Sequence, residues 1–255
     1  MKILLTNDDG IYADGLWALH DHLSKAHRVI VVAPDRERSA VGHAITLHKP
    51  LRAETVSVNG RGNGTAVTGT PADCIKLAVA ELLDTPPDIV VSGINPGANI
   101  GVNLNYSGTV SAAKEAALYG IPALAASVDG RSGRHYDEMS RFIGGLVSKV
   151  LAQGLPLGTF LNVNLPDLPV RDMGGVRISR QAISMGSETF ERRMDPRNRL
   201  YFWQGADRRN DFDHPETDIA ALHDGFVSIT PVKCDMTDYE MMAAMKGWAD
   251  INLCL

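Results

Sequence analysis

Two carboxylates stand side by side in "ILLTNDDG", where Asp8 and Asp9 follow an apolar run beginning at Ile3. Adjacent carboxylates repel, and one of the pair tends to stay protonated unless a positive group lies close by. Other residues able to complete a site are scattered along the chain. They are Ser39 in "APDRERSAVGHAIT", Asn95 and Asn99 in "VSGINPGANIG", and Ser107, Gly108 and Thr109 in "YSGTV". Carboxylates, a hydroxyl and an amide oxygen are hard donors, which suit Mg²⁺ or Mn²⁺, and Ca²⁺ less well, rather than a thiolate-seeking metal. Mg²⁺ is usually held by one or two carboxylates, with its other positions left to water and phosphate. Ser-Gly-Thr at a helix start adds hydroxyls, free N–H groups and the positive end of the helix dipole, all suited to phosphate. A cation site beside an anion cradle points to phosphoryl chemistry.

These residues meet only if the chain folds so as to gather them. Short apolar, β-branched runs alternate with helical patterns through the first two-thirds of the sequence. "KILLTN" (2–7), "RVIVVAP" (28–34), "PDIVVSG" (87–93), "PALAAS" (122–127) and "FLNVNLP" (160–166) read as strands. "DGLWALHDHLSKA" (14–26), "PADCIKLAVAELL" (71–83), "SGTVSAAKEAALYG" (107–120) and residues 136–152 read as helices, the second with Pro at its first turn. Strands apolar on both faces, alternating with helices, predict an α/β, doubly wound and mostly parallel sheet covered on both sides. In such sheets ligands bind outside the carboxyl ends of the strands. Asp8 and Asp9 follow the first strand, Ser39 the second and Asn95 the strand from Pro87, while Ser107 opens the next helix. One edge of one sheet is therefore expected to collect all of them.

Each piece alone has a plainer reading. Asp-Asp-Gly after a strand is often a turn with a helix cap, Ser39 a loop hydroxyl, and Ser107 or Thr109 a helix cap. His43 and His48 flank a further expected strand and read as structural. "GRGNG" (60–64) reads as a hairpin turn, being neither a dinucleotide fingerprint nor a Walker loop. "GTPADC" belongs to the site wall or to the packing beside it. It is their shared placement that favours function.

A formal charge of −5 argues against a nucleic-acid polymer as partner, which a basic excess would mark. Cys74, Cys234 and Cys254 are widely spaced with no CxxC pair, so neither structural zinc nor a disulfide framework is expected. No apolar stretch approaches the ~18 residues of a membrane span. The short apolar run before the first acids does not make a secretory signal, and a cytoplasmic protein is expected.

After about Gly174 the pattern changes. "GGVRISRQAIS" and "GFVSITPV" read as strands, and between them Thr189–Trp203 reads as a hairpin turning at Asp195-Pro196-Arg197-Asn198. Phe190, Tyr201, Phe202 and Trp203 are more aromatics than an isolated ribbon can bury. It is expected to pack on another subunit or to fold back on its own domain. Its arginines, Arg192, Arg193, Arg197 and Arg199, read as a solvated face.

The ordered motifs "ILLTNDDG", "APDRERSAVGHAITL", "GTPADC", "VSGINPGANIG", "YSGTVSAAKEA" and "TDIAALHDGFVSITP" resemble the SurE (survival protein E) family from end to end. The resemblance implies a metal-dependent 5′-nucleotidase, with 3′ esters and polyphosphate as further candidate substrates. It implies a Rossmann-like core in a single domain over 1–255, and a projecting arm over about 182–215 that joins subunits into dimers or tetramers. By motif, Asp8, Asp9, Ser39 and Asn95 would hold one divalent cation per subunit. Asn99, Ser107, Gly108 and Thr109 would surround the phosphate. Asp8 or Asp9 would be the general base, and the resemblance favours Asp8. Ala40 and Ala116 stand where many members have Gly, and "GVNLN" (101–105) lacks an acid many carry. Two other classes are weighed. A receiver-like signalling module would need an aspartate where Ser92-Gly93 stands, and an aspartyl-phosphate phosphatase usually has Asp-x-Asp rather than adjacent acids. A non-hydrolytic phosphate- or nucleotide-binding module is the remaining alternative.

Overall fold

Consecutive apolar residues in the strands face opposite sides of the sheet, and each side has its own helices to cover it. The computed structural model describes residues 1–58, 60–183, 189–205 and 214–250. In chain order its elements are β1 (Lys2–Thr6), α1 (Asp14–Leu23), β2 (Arg28–Pro34), β3 (Ala53–Val58), β4 (Gly62–Val67), α2 (Pro71–Leu77), β5 (Ile89–Pro96) and α3 (Gly108–Leu118). There follow β6 (Ala123–Asp129), α4 (Tyr136–Gln153), β7 (Thr159–Pro166), β8 (Val176–Ile178), β9 (Phe190–Met194), β10 (Leu200–Gln204), α5 (Asp218–His223), β11 (Val227–Lys233) and α6 (Tyr239–Ala244).

On one side of the sheet Ile3 and Leu5 of β1 and Ile89 and Val91 of β5 pack with Leu16, Trp17 and Leu19 of α1 and with Ile143 and Val147 of α4. On the other, Leu4 and Val90 pack with Cys74 and Ile75 of α2 and with Val110, Ala113 and Ala116 of α3. Each fully buried Leu, Ile or Val contributes roughly 1.5–3 kcal/mol against exposure, so both faces are strongly fixed.

The strands form one nine-stranded sheet in the order β3-β4-β2-β1-β5-β6-β7-β11-β8 and a separate ribbon of β9 and β10. The run from β4 to β7 is parallel throughout. At the ends β3 pairs antiparallel with β4, and β11 antiparallel with β7. The doubly wound, mostly parallel sheet expected from the sequence is thus present. From β1 the chain passes through α1 to β2 on one side, and it later returns to β5 on the other. The crevice where strand order reverses lies between the carboxyl ends of β1 and β5, the usual ligand position in such sheets.

Several local readings are refined. The helix expected over 71–83 is α-helical only to Leu77 and continues as a wider turn over Ala78–Leu82. Its start in "GTPADC" is a capping box, in which Thr70 and Asp73 satisfy each other's backbone N–H groups. No strand forms between His43 and His48. Side chains hold that segment instead: Asp73 accepts from the Thr46 backbone and hydroxyl, Thr70 donates to the Ala44 carbonyl, and His43 pairs with Glu115 at 2.7 Å. Within "GRGNG", Gly62 and Gly64 already belong to β4. A Cβ on Gly64 would lie 2.9 Å from Ile11 Cδ1, so the residue serves close packing rather than a turn.

The antiparallel ribbon forms as expected, with its turn tied by Asp195 Oδ1, which accepts from the backbone N–H groups of Arg197 and Arg199 at 2.8 Å each. All its strand residues are exposed, Phe190, Tyr201, Phe202 and Trp203 among them. Parts of the expected arm, residues 184–188 and 206–213, lie outside the described residues. Among the described residues no helix is long and apolar enough to cross a membrane.

Candidate active site

Polar residues at the ends of β1, β2 and β5 and at the start of α3 line one cleft of about 650 Å³. Of the residues singled out from sequence, Asp8, Asp9, Ser39, Asn95, Asn99 and Ser107 line it. Gly108 and Thr109 do not, and instead stand behind Asp8. The Thr109 hydroxyl donates to Asp8 Oδ1. A Cβ on Gly108 would lie 2.7 Å from Asp8 Cβ, so only glycine lets α3 approach this closely. Ser107 caps the helix, its hydroxyl oxygen accepting from Val110 N–H at 3.2 Å.

The two acids sit where their charge is costly. Burial raises the Asp8 pKa, while the Thr109 hydroxyl and the backbone N–H groups of Thr109 and Gly108 pull it back. Asp9 is pushed up to about 7, by burial first and then by the charges of Asp8 and Glu37. Asp9 Oδ2 is buried and has no hydrogen-bond partner. Tyr136, at the same cleft, is pushed up to about 12 by burial and by Asp9, Asp14 and Asp167. The field here is negative, and it calls for a cation.

The remaining donors are oriented for one. Asn95 donates its amide N–H to the Gly97 carbonyl at 2.6 Å, which leaves the amide oxygen free to coordinate. Ser39 donates its hydroxyl proton to Glu37 Oε1 at 2.5 Å, so its lone pairs are available. Ala40 holds φ 55°, a left-handed conformation that favours glycine, and there the chain carries the local cost of a Cβ. Among the described residues no three His, Cys, Asp or Glu side chains gather in a metal-holding group. A cation at Asp8 and Asp9 would therefore draw on Ser39 and Asn95 as well, and this hard oxygen set fits Mg²⁺ or Mn²⁺.

Asn99 is held by side chains of β6 and β7. Its backbone N–H donates to Asn164 Oδ1, its carbonyl accepts from Asn162 and Asn164, and its amide N–H donates to Ser127 Oγ at 2.8 Å. Asp218, buried in "TDIAALHDG", accepts from the backbone N–H groups of Gly101, Ala182 and Ile219 and so fixes the start of the 101–105 turn. Sequence reasoning passed over Glu37, Arg131 and Tyr136 at the cleft and Asn162 and Asn164, which hold Asn99. Only the last two left a signal: a pair of asparagines inside an otherwise apolar buried strand.

A doubly wound α/β protein with an acidic pair and a helix N-terminus at its switch point has the site of a cation-assisted, phosphate-handling enzyme. Known proteins narrow this. The family "Survival protein SurE" matches residues 3–188. A protein of Desulfatibacillum aliphaticivorans named 5′-nucleotidase SurE is 57% identical over 249 residues, covering 97% of this chain and 98% of that one. A protein of the same name from Syntrophobacter fumaroxidans is 49% identical over 248 residues, covering 97% and 99%. The crystal structure of a SurE protein from Aquifex aeolicus superposes with a TM-score of 0.84 at 37% identity, covering 98% of this chain and all of that one. The chain belongs to the SurE family.

Proposed function

We propose that this chain is a divalent-cation-dependent phosphomonoesterase that hydrolyses nucleoside 5′-monophosphates to nucleoside and phosphate. The reading rests on one observation: Asp8, Asp9, Ser39 and Asn95 line a single cleft whose wall includes the N-terminus of α3. The names of its relatives support it.

Asp8, Asp9, Ser39 and Asn95 would hold one Mg²⁺ or Mn²⁺, which when bound supplies Lewis acidity and neutralises charge on the phosphoryl group. The other roles fall to the chain itself. Asp8, steadied by Thr109, accepts a proton from the attacking water as the new P–O bond forms. The bond to the nucleoside oxygen breaks, that oxygen takes a proton from solvent water in the open cleft, and Asp8 afterwards releases its own proton to solvent. Asn99 and Ser107, which line the cleft, hold the non-bridging oxygens, and the positive end of the α3 dipole adds to the field that favours them. Glu37 keeps the Ser39 proton turned away from the cation. Cys74 and Cys234 are free thiols, in keeping with a reducing cytoplasm where such substrates occur.

The test is phosphate release from a panel of nucleoside 5′- and 3′-monophosphates and polyphosphate with Mg²⁺, Mn²⁺ or EDTA. Release from the 5′ esters that EDTA abolishes is expected; no release with any metal would overturn the reading.

We further read residues 1–255 as one catalytic domain whose arm, about 182–215, joins subunits into a dimer or tetramer. The aromatic ribbon of β9 and β10 is exposed in the single chain, and contiguous exposed apolar surface of this kind marks an interface. Replacing Phe202 and Trp203 together by Ser should lower the mass seen by analytical ultracentrifugation, with the fold retained by circular dichroism. An unchanged mass would remove the arm from the interface.

A further inference from the structure

We propose that Arg131, on the loop between β6 and α4, binds the phosphoryl group of the substrate; the proposal rests on the phosphomonoesterase reading. The argument begins with charge. Among the described residues four acids line the cleft, Asp8, Asp9, Asp14 and Glu37, and Arg131 is the only Lys or Arg with them. A divalent cation with Asp8 and Asp9 is formally neutral. A phosphate monoester then adds about 1.5–2 negative charges to a site that still carries Asp14 and Glu37. The N-terminus of α3 offers only about half a positive charge. The dianion needs one more cation, and Arg131 is the side chain in place to supply it.

Its surroundings leave Arg131 available. No hydrogen bond or ion pair engages it among the described residues, yet its charge is felt at Asp9, where it opposes the upward push of burial. The loop on either side is pinned. Ser132 donates its hydroxyl to Asp167 Oδ1 at 2.8 Å, and Arg134 N–H donates to Ser132 Oγ at 3.3 Å. Gly130 lies so close to Asp167 that a Cβ would stand 2.2 Å from its carboxylate, and Gly133 takes φ 64°. The backbone is thus fixed while the guanidinium stays free to face the cleft. A planar guanidinium fork matches two phosphate oxygens at once, which an ammonium does not.

The experiment compares wild type, Arg131→Lys and Arg131→Ala with Mn²⁺, using adenosine 5′-monophosphate and p-nitrophenyl phosphate as substrates. Binding of inorganic phosphate by calorimetry and of Mn²⁺ by electron paramagnetic resonance are read alongside. In Arg131→Ala, kcat/KM should fall about 10²–10³-fold, by the same factor for both substrates, because the phosphoryl group is all they share. Phosphate affinity should weaken in parallel, Arg131→Lys should recover part of both losses, and Mn²⁺ affinity should hold. Unchanged phosphate affinity, a loss confined to the nucleotide, or a matching loss of Mn²⁺ affinity would each overturn the proposal. Should wild type release no phosphate from the nucleotide, the enzymatic reading falls, and the calorimetric comparison still decides Arg131.

Discussion

Asp8→Asn should leave a folded, Mn²⁺-binding protein that releases phosphate about 10³-fold more slowly than wild type, within the range of a lost general base. The substitution keeps shape and an amide oxygen, so the Thr109 hydroxyl still has an acceptor and α3 still packs against residue 8. What it removes is the ability to take a proton. Because Asp8 is also assigned to the cation, the rate must be measured in single turnover at saturating Mn²⁺, with occupancy measured on the same sample. A slow, fully loaded variant separates proton transfer from cation binding. A variant that is loaded and turns over at the wild-type rate would remove Asp8 from the role of base and pass it to Asp9.

The second large effect concerns Asp9 and is read in stability as well as rate. Its carboxyl has an ordinary pKa near 3.9 in an unfolded chain and about 7 in the folded one, raised by burial, Asp8 and Glu37. The folded state therefore holds the proton more tightly. Its contribution to stability is full below about pH 4 and is lost as pH rises through about 7. In EDTA the melting temperature of wild type should accordingly decline across that window. Saturating Mg²⁺ should remove the decline by giving the carboxylate pair its counter-charge. Asp9→Asn should flatten the curve in EDTA, since it discards the buried charge whose Oδ2 lacks a partner. It should also weaken Mn²⁺ binding by at least about 10–100-fold, more than the loss of a mere supporting group, and stop phosphate release. A wild-type curve that rises through the window, or that parallels Asp9→Asn, would show that the folded state does not hold the Asp9 proton more tightly than the unfolded chain.

Much of this architecture could be read in the sequence because the signals are local and strong. Strands such as "RVIVVAP" are short and apolar on both faces, and helices follow them at the spacing of crossover units. These facts imply a covered parallel sheet before any contact is known. The sheet rule then carries Asp8, Asp9, Ser39 and Asn95 to one edge, and the structure gathers them there. The turn at 195–198 was equally legible, since Asp, Pro and Asn favour turns for reasons internal to four residues.

What escaped is what depends on direction and on partners distant in sequence. Whether Thr109 faces the cleft or supports Asp8 from behind is decided by how α3 docks, and that turns on Gly108 allowing close approach to a residue a hundred positions earlier. Glu37 and Arg131 sit in loops with no periodicity, so nothing local marks them as facing Ser39 and Asp9. Residues 43–48 looked like a strand because their local composition allows one. In the folded chain Asp73, Thr70 and Glu115 offer that backbone and its side chains other partners. The sequence alone determined the sheet, its covering helices and the edge at which chemistry would occur, because periodicity and turn residues act within a few positions. Only the tertiary structure decided which polar groups face one another across that edge, because loop direction and long-range packing are set by the whole fold.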